Sequence, residues 1–114
     1  MEKTTRPWGT YEVLYDGEDC KVKKIVVKPK QNPSYQYHFK RRECWVVVSG
    51  SGYARLEEKE VPLGPGSVLN IPLEAKHTIV NTNETEDLVF IEVQTGTYFG
   101  EDDIVRLEDL YGRV

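Results

Sequence analysis

The feature that most constrains this chain is a series of short runs rich in Val, Ile and Tyr, each closed by turn chemistry. The runs cover residues 10–15, 20–28, 35–38, 43–49, 52–56, 67–71, 77–81 and 88–94. Residues of these types fit a pleated, half-buried surface, so each run predicts a strand. Between them lie Asp16-Gly17, Asn32-Pro33, Gly50-Ser51-Gly52, Gly64-Pro65-Gly66 and Asn81-Thr82-Asn83, whose residues preset or tolerate turn dihedrals. Many short strands with regular punctuation predict an all-β antiparallel sandwich or barrel.

Only the C-terminal end reads differently. Glu101-Asp102-Asp103 supply acids for a first helical turn, Ile104, Leu107 and Leu110 recur near helical spacing, and Gly112 is placed to stop the run. One short C-terminal helix is expected.

A chain of 114 residues is expected to form one domain, residues 1–114, around a single core. Any active site then has to be built inside that core or at its mouth. Fifteen Lys and Arg against nineteen Asp and Glu leave a net charge of −4, which argues against general nucleic-acid binding. No apolar run approaches the length of a signal segment or a membrane span, so a cytoplasmic location without membrane partners is expected. Cys20 and Cys44 are isolated rather than paired in a Cys-x-x-Cys motif, and they read as free thiols.

The two histidines carry the chemical signal. In a strand, residues two apart share a face, so Gln36 and His38 project together while Tyr37 points the other way. Glu43 opens the next run and His77 a later one, and side chains from three strands can converge inside a small barrel. Two imidazoles, a carboxylate and an amide oxygen make a nitrogen and oxygen ligand set suited to a divalent ion, zinc foremost, with manganese, cobalt, nickel or iron as alternatives. Alternation from an inward Glu43 turns Cys44 outward and leaves it out of the set.

The joint spacing is more specific than either histidine. Gln36-x-His38-x4-Glu43-x6-Gly50 and Gly66-x5-Pro72-x4-His77-x3-Asn81 resemble the two signature motifs of the cupin superfamily, with Gln36 where many cupins carry their first histidine. The resemblance implies a double-stranded jelly roll. Longer blocks sharpen it: Arg6-Pro7-Trp8-Gly9, Trp45-Val46-Val47-Val48-Ser49-Gly50, Glu92-Val93-Gln94-Thr95-Gly96, Gly100-Glu101-Asp102-Asp103-Ile104 and Tyr111-Gly112-Arg113. Together these blocks resemble the C-terminal isomerase domain of type II mannose-6-phosphate isomerases, whose larger members join it to a guanylyltransferase domain. The likeness implies metal-dependent interconversion of mannose 6-phosphate and fructose 6-phosphate in polysaccharide and nucleotide-sugar biosynthesis. It also implies a separate guanylyltransferase as a possible partner.

The departures point to an alternative. Where the family usually carries histidines, this chain has Phe39, Lys40 and Cys44, and the glycine usual between Pro72 and His77 is Glu74. A non-catalytic metal cupin that binds a sugar phosphate or nucleotide sugar is therefore the second reading. For catalysis the candidates are Arg41, which matches an arginine of the family motif; Lys40, as a base; and Glu92, as a second candidate base if its strand turns it inward. Lys40-Arg41-Arg42 is the candidate phosphate anchor. A homodimer is expected, with Arg6-Pro7-Trp8-Gly9 packing across a partner subunit.

Overall fold

A computed structural model describes residues 2–108, and these form two facing antiparallel sheets. The strands are β1 (Lys3–Arg6), β2 (Gly9–Asp16), β3 (Cys20–Val27), β4 (Tyr35–Tyr37), β5 (Arg41–Ser49), β6 (Gly52–Leu56), β7 (Lys59–Leu63), β8 (Val68–Ile71), β9 (His77–Asn81), β10 (Leu88–Gly96) and β11 (Val105–Glu108). The larger sheet runs β1-β2-β3-β10-β5-β8 and the smaller β11-β4-β9-β6-β7. Consecutive strands β4 and β5 lie in opposite sheets, so the connection through His38 spans the sandwich. No helix among the described residues is long and apolar enough to cross a membrane.

Period-two alternation decides which side chains face inward. Along β5, Arg41, Glu43, Trp45 and Val47 are buried while Arg42, Val46 and Val48 are exposed. Along β10, Leu88, Phe90, Glu92 and Gln94 are buried in the same rhythm. One end of the space between the sheets is apolar, filled by Val27, Val47, Ile79, Leu88 and Phe90. Each fully buried aliphatic or aromatic side chain of this kind contributes roughly 1.5–3 kcal/mol. The other end is lined by the polar inward residues, and that is where His38, Glu43 and His77 gather.

The predicted C-terminal helix is corrected by the structure. Residues 105–108 form β11 instead, with Val105 opposite Tyr37 and Arg106 opposite Gln36. Ile104 and Leu107 satisfy a helical period, but β4 would otherwise present an unpaired edge, and pairing along that edge wins over local periodicity. Leu110 and Gly112 lie outside the described residues. Two further strands add to those expected. β1 is polar and pairs only with β2, and β7 contains Pro62, which is tolerated because β7 ends its sheet. Trp8 packs in the chain's own core, 8% exposed.

Gly96 ties the fold to the site. Its φ is +146°, and a Cβ there would stand 2.2 Å from the Lys40 carbonyl oxygen. That close approach lets the end of β10 seat against the start of β5, with the Thr97 amide donating to the Lys40 carbonyl at 3.0 Å.

Candidate metal centre

His38, Glu43 and His77 converge between the sheets, with one donor atom from each lying within 4.8 Å of the others. His38 comes from the β4–β5 connection, Glu43 from β5 of the larger sheet and His77 from β9 of the smaller one. All three are buried, at 3%, 4% and 2% exposure. His38 Nε2 is 3.4 Å from Glu43 Oε2, and His77 Nε2 is 3.7 Å from Glu43 Oε1. Donors bound at 2.0–2.1 Å around a tetrahedral ion stand about 3.3–3.4 Å apart, so these separations need little change to close on one.

The imidazole hydrogen bonds select the tautomer that such a role requires. His38 Nδ1 faces the Asp103 carbonyl oxygen at 2.6 Å, and His77 Nδ1 faces the Ala75 carbonyl oxygen at 2.8 Å. A carbonyl only accepts, so each Nδ1 carries a proton and each Nε2 is the ring atom turned to the centre. His77 Nε2 is buried with no hydrogen-bond partner among the described residues. A buried acceptor left unpaired costs about 1–3 kcal/mol, and a cation in the centre would remove that cost. The donor set and the orphaned nitrogen therefore fit a divalent ion.

The protein holds this geometry from behind. Asp103 accepts from the backbone amides of Phe39 at 3.1 Å and Lys40 at 2.9 Å while its carbonyl fixes His38, so one residue clamps the whole ligand-bearing connection. The Glu74 amide donates to the His38 carbonyl at 2.8 Å, joining the turn before His77 to the same connection. Trp45 Nε1 donates to Glu43 Oε1 at 2.9 Å, and the Arg41 Nε donates to Glu43 Oε2 at 3.1 Å. Arg41 also donates through Nη2 to His38 Nε2 at 3.1 Å and through Nη1 to Glu101 Oε2 at 3.1 Å.

Charge is partitioned sharply across this cluster. Burial opposes ionisation of Glu43, but His77, Arg41 and His38 outweigh it and hold its pKa at about 2. Glu92 takes the opposite course. Burial, reinforced by the negative charge on Glu43, raises its pKa to about 8, against the pull of Arg41 and Lys23. Two neighbouring carboxyls thus differ in state at neutral pH, one ionised and one protonated. His38 is pushed down to about 4, mainly by burial, and is neutral. Burial works against the charge on Arg41, yet Glu43, Glu92 and Glu101 hold its pKa above the ordinary value.

Not every predicted site residue arrives. Gln36 lines the same cavity of about 110 Å³ and lies opposite His77 in the β4–β9 register, with its Oε1 accepting from Ser34 Oγ at 3.1 Å. Arg41 and Glu92 also line it. Alternation alone leaves the face of Glu92 open, and the register opposite Trp45 and Lys23 places it inward. Lys40 does not reach the cavity. It is exposed, with its ammonium 5.2 Å from the Tyr98 ring centroid, so it has neither the burial nor the position that a base would need. Arg42 is exposed on the outer face, which leaves Arg41 as the one member of the Lys40-Arg41-Arg42 run at the site.

Sequence reasoning missed Lys23, Glu101 and Asp103. Lys23 is 3% exposed and its Nζ reaches Glu101 Oε1 at 2.7 Å, while Glu101 also pairs with Arg41. Lys23 lies in a run with Lys21 and Lys24, and its alternation with Ile25 and Val27 was the available signal of an inward cation.

Comparison with known proteins agrees with this architecture. A family model described as mannose-6-phosphate isomerase C-terminal matches residues 1–109. The mannose-1-phosphate guanylyltransferase ManC of Salmonella typhimurium is 44% identical over 109 residues, covering 96% of this chain and 22% of its own. The alginate biosynthesis protein AlgA of Pseudomonas aeruginosa is 44% identical over 108 residues, covering 95% of this chain and 22% of its own. The chain thus spans under a quarter of the length of these relatives. Among solved structures, the capsular polysaccharide assembling protein CapF of Staphylococcus aureus superposes with a TM-score of 0.83 at 24% identity, over 94% of this chain and 34% of that one. A Streptomyces PAC13 variant with uridine superposes with a TM-score of 0.80 at 16% identity, over 95% and 85% of the two chains. These likenesses show the cupin jelly roll, and the family match with the 44% identities places this chain among the C-terminal domains of mannose-6-phosphate isomerases.

Proposed function

We propose that this domain interconverts mannose 6-phosphate and fructose 6-phosphate, with a divalent ion, zinc foremost, held by Gln36, His38, Glu43 and His77. The observation that carries the proposal is the unpartnered His77 Nε2, aimed with His38 Nε2 at the ionised Glu43. When bound, such an ion supplies Lewis-acid polarisation of the sugar oxygens.

The chain's own residues provide the rest. Isomerisation moves a proton between adjacent carbons through an enediol, which needs a group that can take the proton and give it back. Glu92 is that group. Its carboxyl titrates near neutrality, so its ionised form is a far stronger base than an ordinary carboxylate, and it returns the proton from the same position. Trp45 and Phe90 line the cavity beside it and exclude water from the proton while it is held.

A second reading is favoured by one observation. The Arg41 guanidinium donates to both His38 Nε2 and Glu43 Oε2, filling donor atoms that an ion needs, and Phe39, Lys40 and Cys44 replace histidines common in the family. In that reading the domain binds a sugar phosphate or nucleotide sugar without converting it, as a partner of a separate guanylyltransferase. A coupled assay with mannose 6-phosphate and added zinc, manganese or cobalt distinguishes the two. Turnover is expected; calorimetric binding without turnover under any metal selects the second reading.

A cytoplasmic homodimer completes the proposal. Val46, Val48 and Val68 are 38%, 54% and 60% exposed on the outer face of the larger sheet, beside the half-buried Val89, Ile91 and Val93. Outer faces of antiparallel sheets are ordinarily polar, so an apolar one supports pairing with a second copy. A sugar-phosphate substrate, confined by its charge to the compartment that makes it, supports the location.

A further inference from the structure

The cavity that holds the ligands is cationic in a chain that is anionic overall. Arg6, Lys23, Arg41 and Arg106 all line it. The carboxyls against them are Glu43, Glu92 and Glu101, so cations outnumber carboxyls even with every carboxyl ionised. Two of the cations are already engaged: Arg41 by Glu43 and Glu101, and Lys23 by Glu101. Arg6 and Arg106 have no carboxylate at ion-pair distance among the described residues. Among the described residues Arg6 donates only to the Thr5 carbonyl at 3.2 Å and the Tyr11 hydroxyl at 3.4 Å. The Arg106 Nε is buried and has no hydrogen-bond partner among the described residues.

Their placement suits one kind of ligand. Arg6 is on β1 and Arg106 on β11, each the terminal strand of its sheet, and both are half-buried whereas His38, Glu43 and His77 are fully enclosed. The two arginines therefore line the open end of the cavity and the metal ligands its closed end. Arg106 stands opposite Gln36, and Gln36 opposite His77, in one row across three strands of the smaller sheet. At about 4.8 Å per strand, the Arg106 backbone is about 10 Å from that of His77. An open-chain hexose whose first carbons sit at the ligands carries a phosphate on its sixth carbon toward that end.

We propose that Arg6 and Arg106, backed by Lys23, form the anion subsite that grips the phosphate of a phosphomonoester sugar. The phosphate dianion supplies acceptors to the free guanidinium donors of both arginines, a charge-assisted and fork-shaped match that lysine cannot reproduce. The subsite deepens the isomerase reading by assigning its substrate's charged group, and it replaces the Lys40-Arg41-Arg42 loop, of which only Arg41 reaches the cavity.

Calorimetry on the full zinc-loaded chain tests this, with mannose 6-phosphate, mannose and inorganic phosphate as probes. Arg6→Gln and Arg106→Gln are each expected to weaken mannose 6-phosphate binding at least about tenfold, with zinc stoichiometry unchanged. Lys40→Gln with Arg42→Gln is expected to leave it within about twofold. Arg6→Lys and Arg106→Lys keep the charge and are expected to recover part of the affinity, which separates anion binding from a folding defect. The proposal is overturned if the wild-type chain binds neither phosphate probe. It is also overturned if both Arg-to-Gln variants bind as wild type does, or if the loop variant loses as much as they do. Phosphate binding through Arg6 and Arg106 without turnover would overturn the isomerase reading alone. Turnover with an unchanged KM in both arginine variants would overturn the subsite alone.

Discussion

Replacing Glu92 by Gln should make the metal-free protein more stable at neutral pH, and the gain should vanish in acid. Unfolded Glu92 loses its proton near pH 4.5, whereas in the folded chain burial and the Glu43 charge keep it on until about pH 8. Between those values the folded state binds one more proton than the unfolded state, so stability falls as pH rises, by about 1.4 kcal/mol per pH unit. The contribution is complete below pH 4.5 and has declined by ~3 kcal/mol at pH 7. Glutamine keeps an oxygen to accept from Gln94 Nε2 and a donor to turn toward Glu43, and it never ionises. Glu43, His38 and Glu101 also titrate in the cluster, but both proteins share them. Glu43, held at about 2, contributes stability that is fully present above pH 4.5 and is lost as pH falls toward 2. His38, lowered from 6.5 to about 4, makes stability rise with pH across that interval. The difference between the two proteins therefore isolates Glu92. Urea unfolding in chelator at pH 5, 6, 7 and 8 should show Glu92→Gln gaining steadily on the wild type, by ~3 kcal/mol at pH 7. A constant difference across that range, or a variant less stable at pH 7, would refute the proton inventory assigned to the site.

Three further outcomes are expected. Asp103→Ala removes the acceptors of the Phe39 and Lys40 amides but keeps the carbonyl that faces His38, and it should cost ~2–3 kcal/mol in urea unfolding while weakening zinc affinity, since the connection that carries His38 loses its side-chain anchor. A change below about 0.5 kcal/mol would contradict that role. Glu74 has a φ of 62°, a left-handed conformation that glycine adopts freely, so Glu74→Gly should raise thermal stability by about 1 kcal/mol; a lower Tm would count against it. Val48→Glu with Val68→Glu charges the apolar outer face and should convert a dimer to a monomer in sedimentation velocity, with the β-sheet circular dichroism retained. Unchanged sedimentation would place the dimer contact elsewhere.

Most of the fold was legible because its central strands alternate cleanly. β5 and β10 bury every second residue, and the sequence shows that rhythm together with the turn residues that end each run. The edges were not legible, for a physical reason. β1 carries Lys3-Thr4-Thr5-Arg6 and β7 carries a proline, compositions that protect an edge by lacking the features that mark a strand. β11 fits a helical period equally well, and only the open edge of β4 decides the matter. The shared cavity of Gln36, His38, Glu43 and His77 was readable from spacing, since the first three follow strand alternation across one short connection. Lys40 was misjudged because a residue outside a strand has no alternation to fix its direction. Asp103 was invisible because its carbonyl and carboxylate act on His38, Phe39 and Lys40 from 65 or fewer residues away along the chain, a separation that no local pattern spans.

The central claim is that His38, Glu43 and His77 hold a divalent ion, and an anomalous difference map of crystals grown with zinc tests it most directly. The account predicts a single strong peak among His38 Nε2, the Glu43 carboxylate and His77 Nε2, at about 2.0–2.2 Å from each, with the Arg41 guanidinium withdrawn from His38. A map with no peak there, and with Arg41 still donating to His38 Nε2, would contradict it.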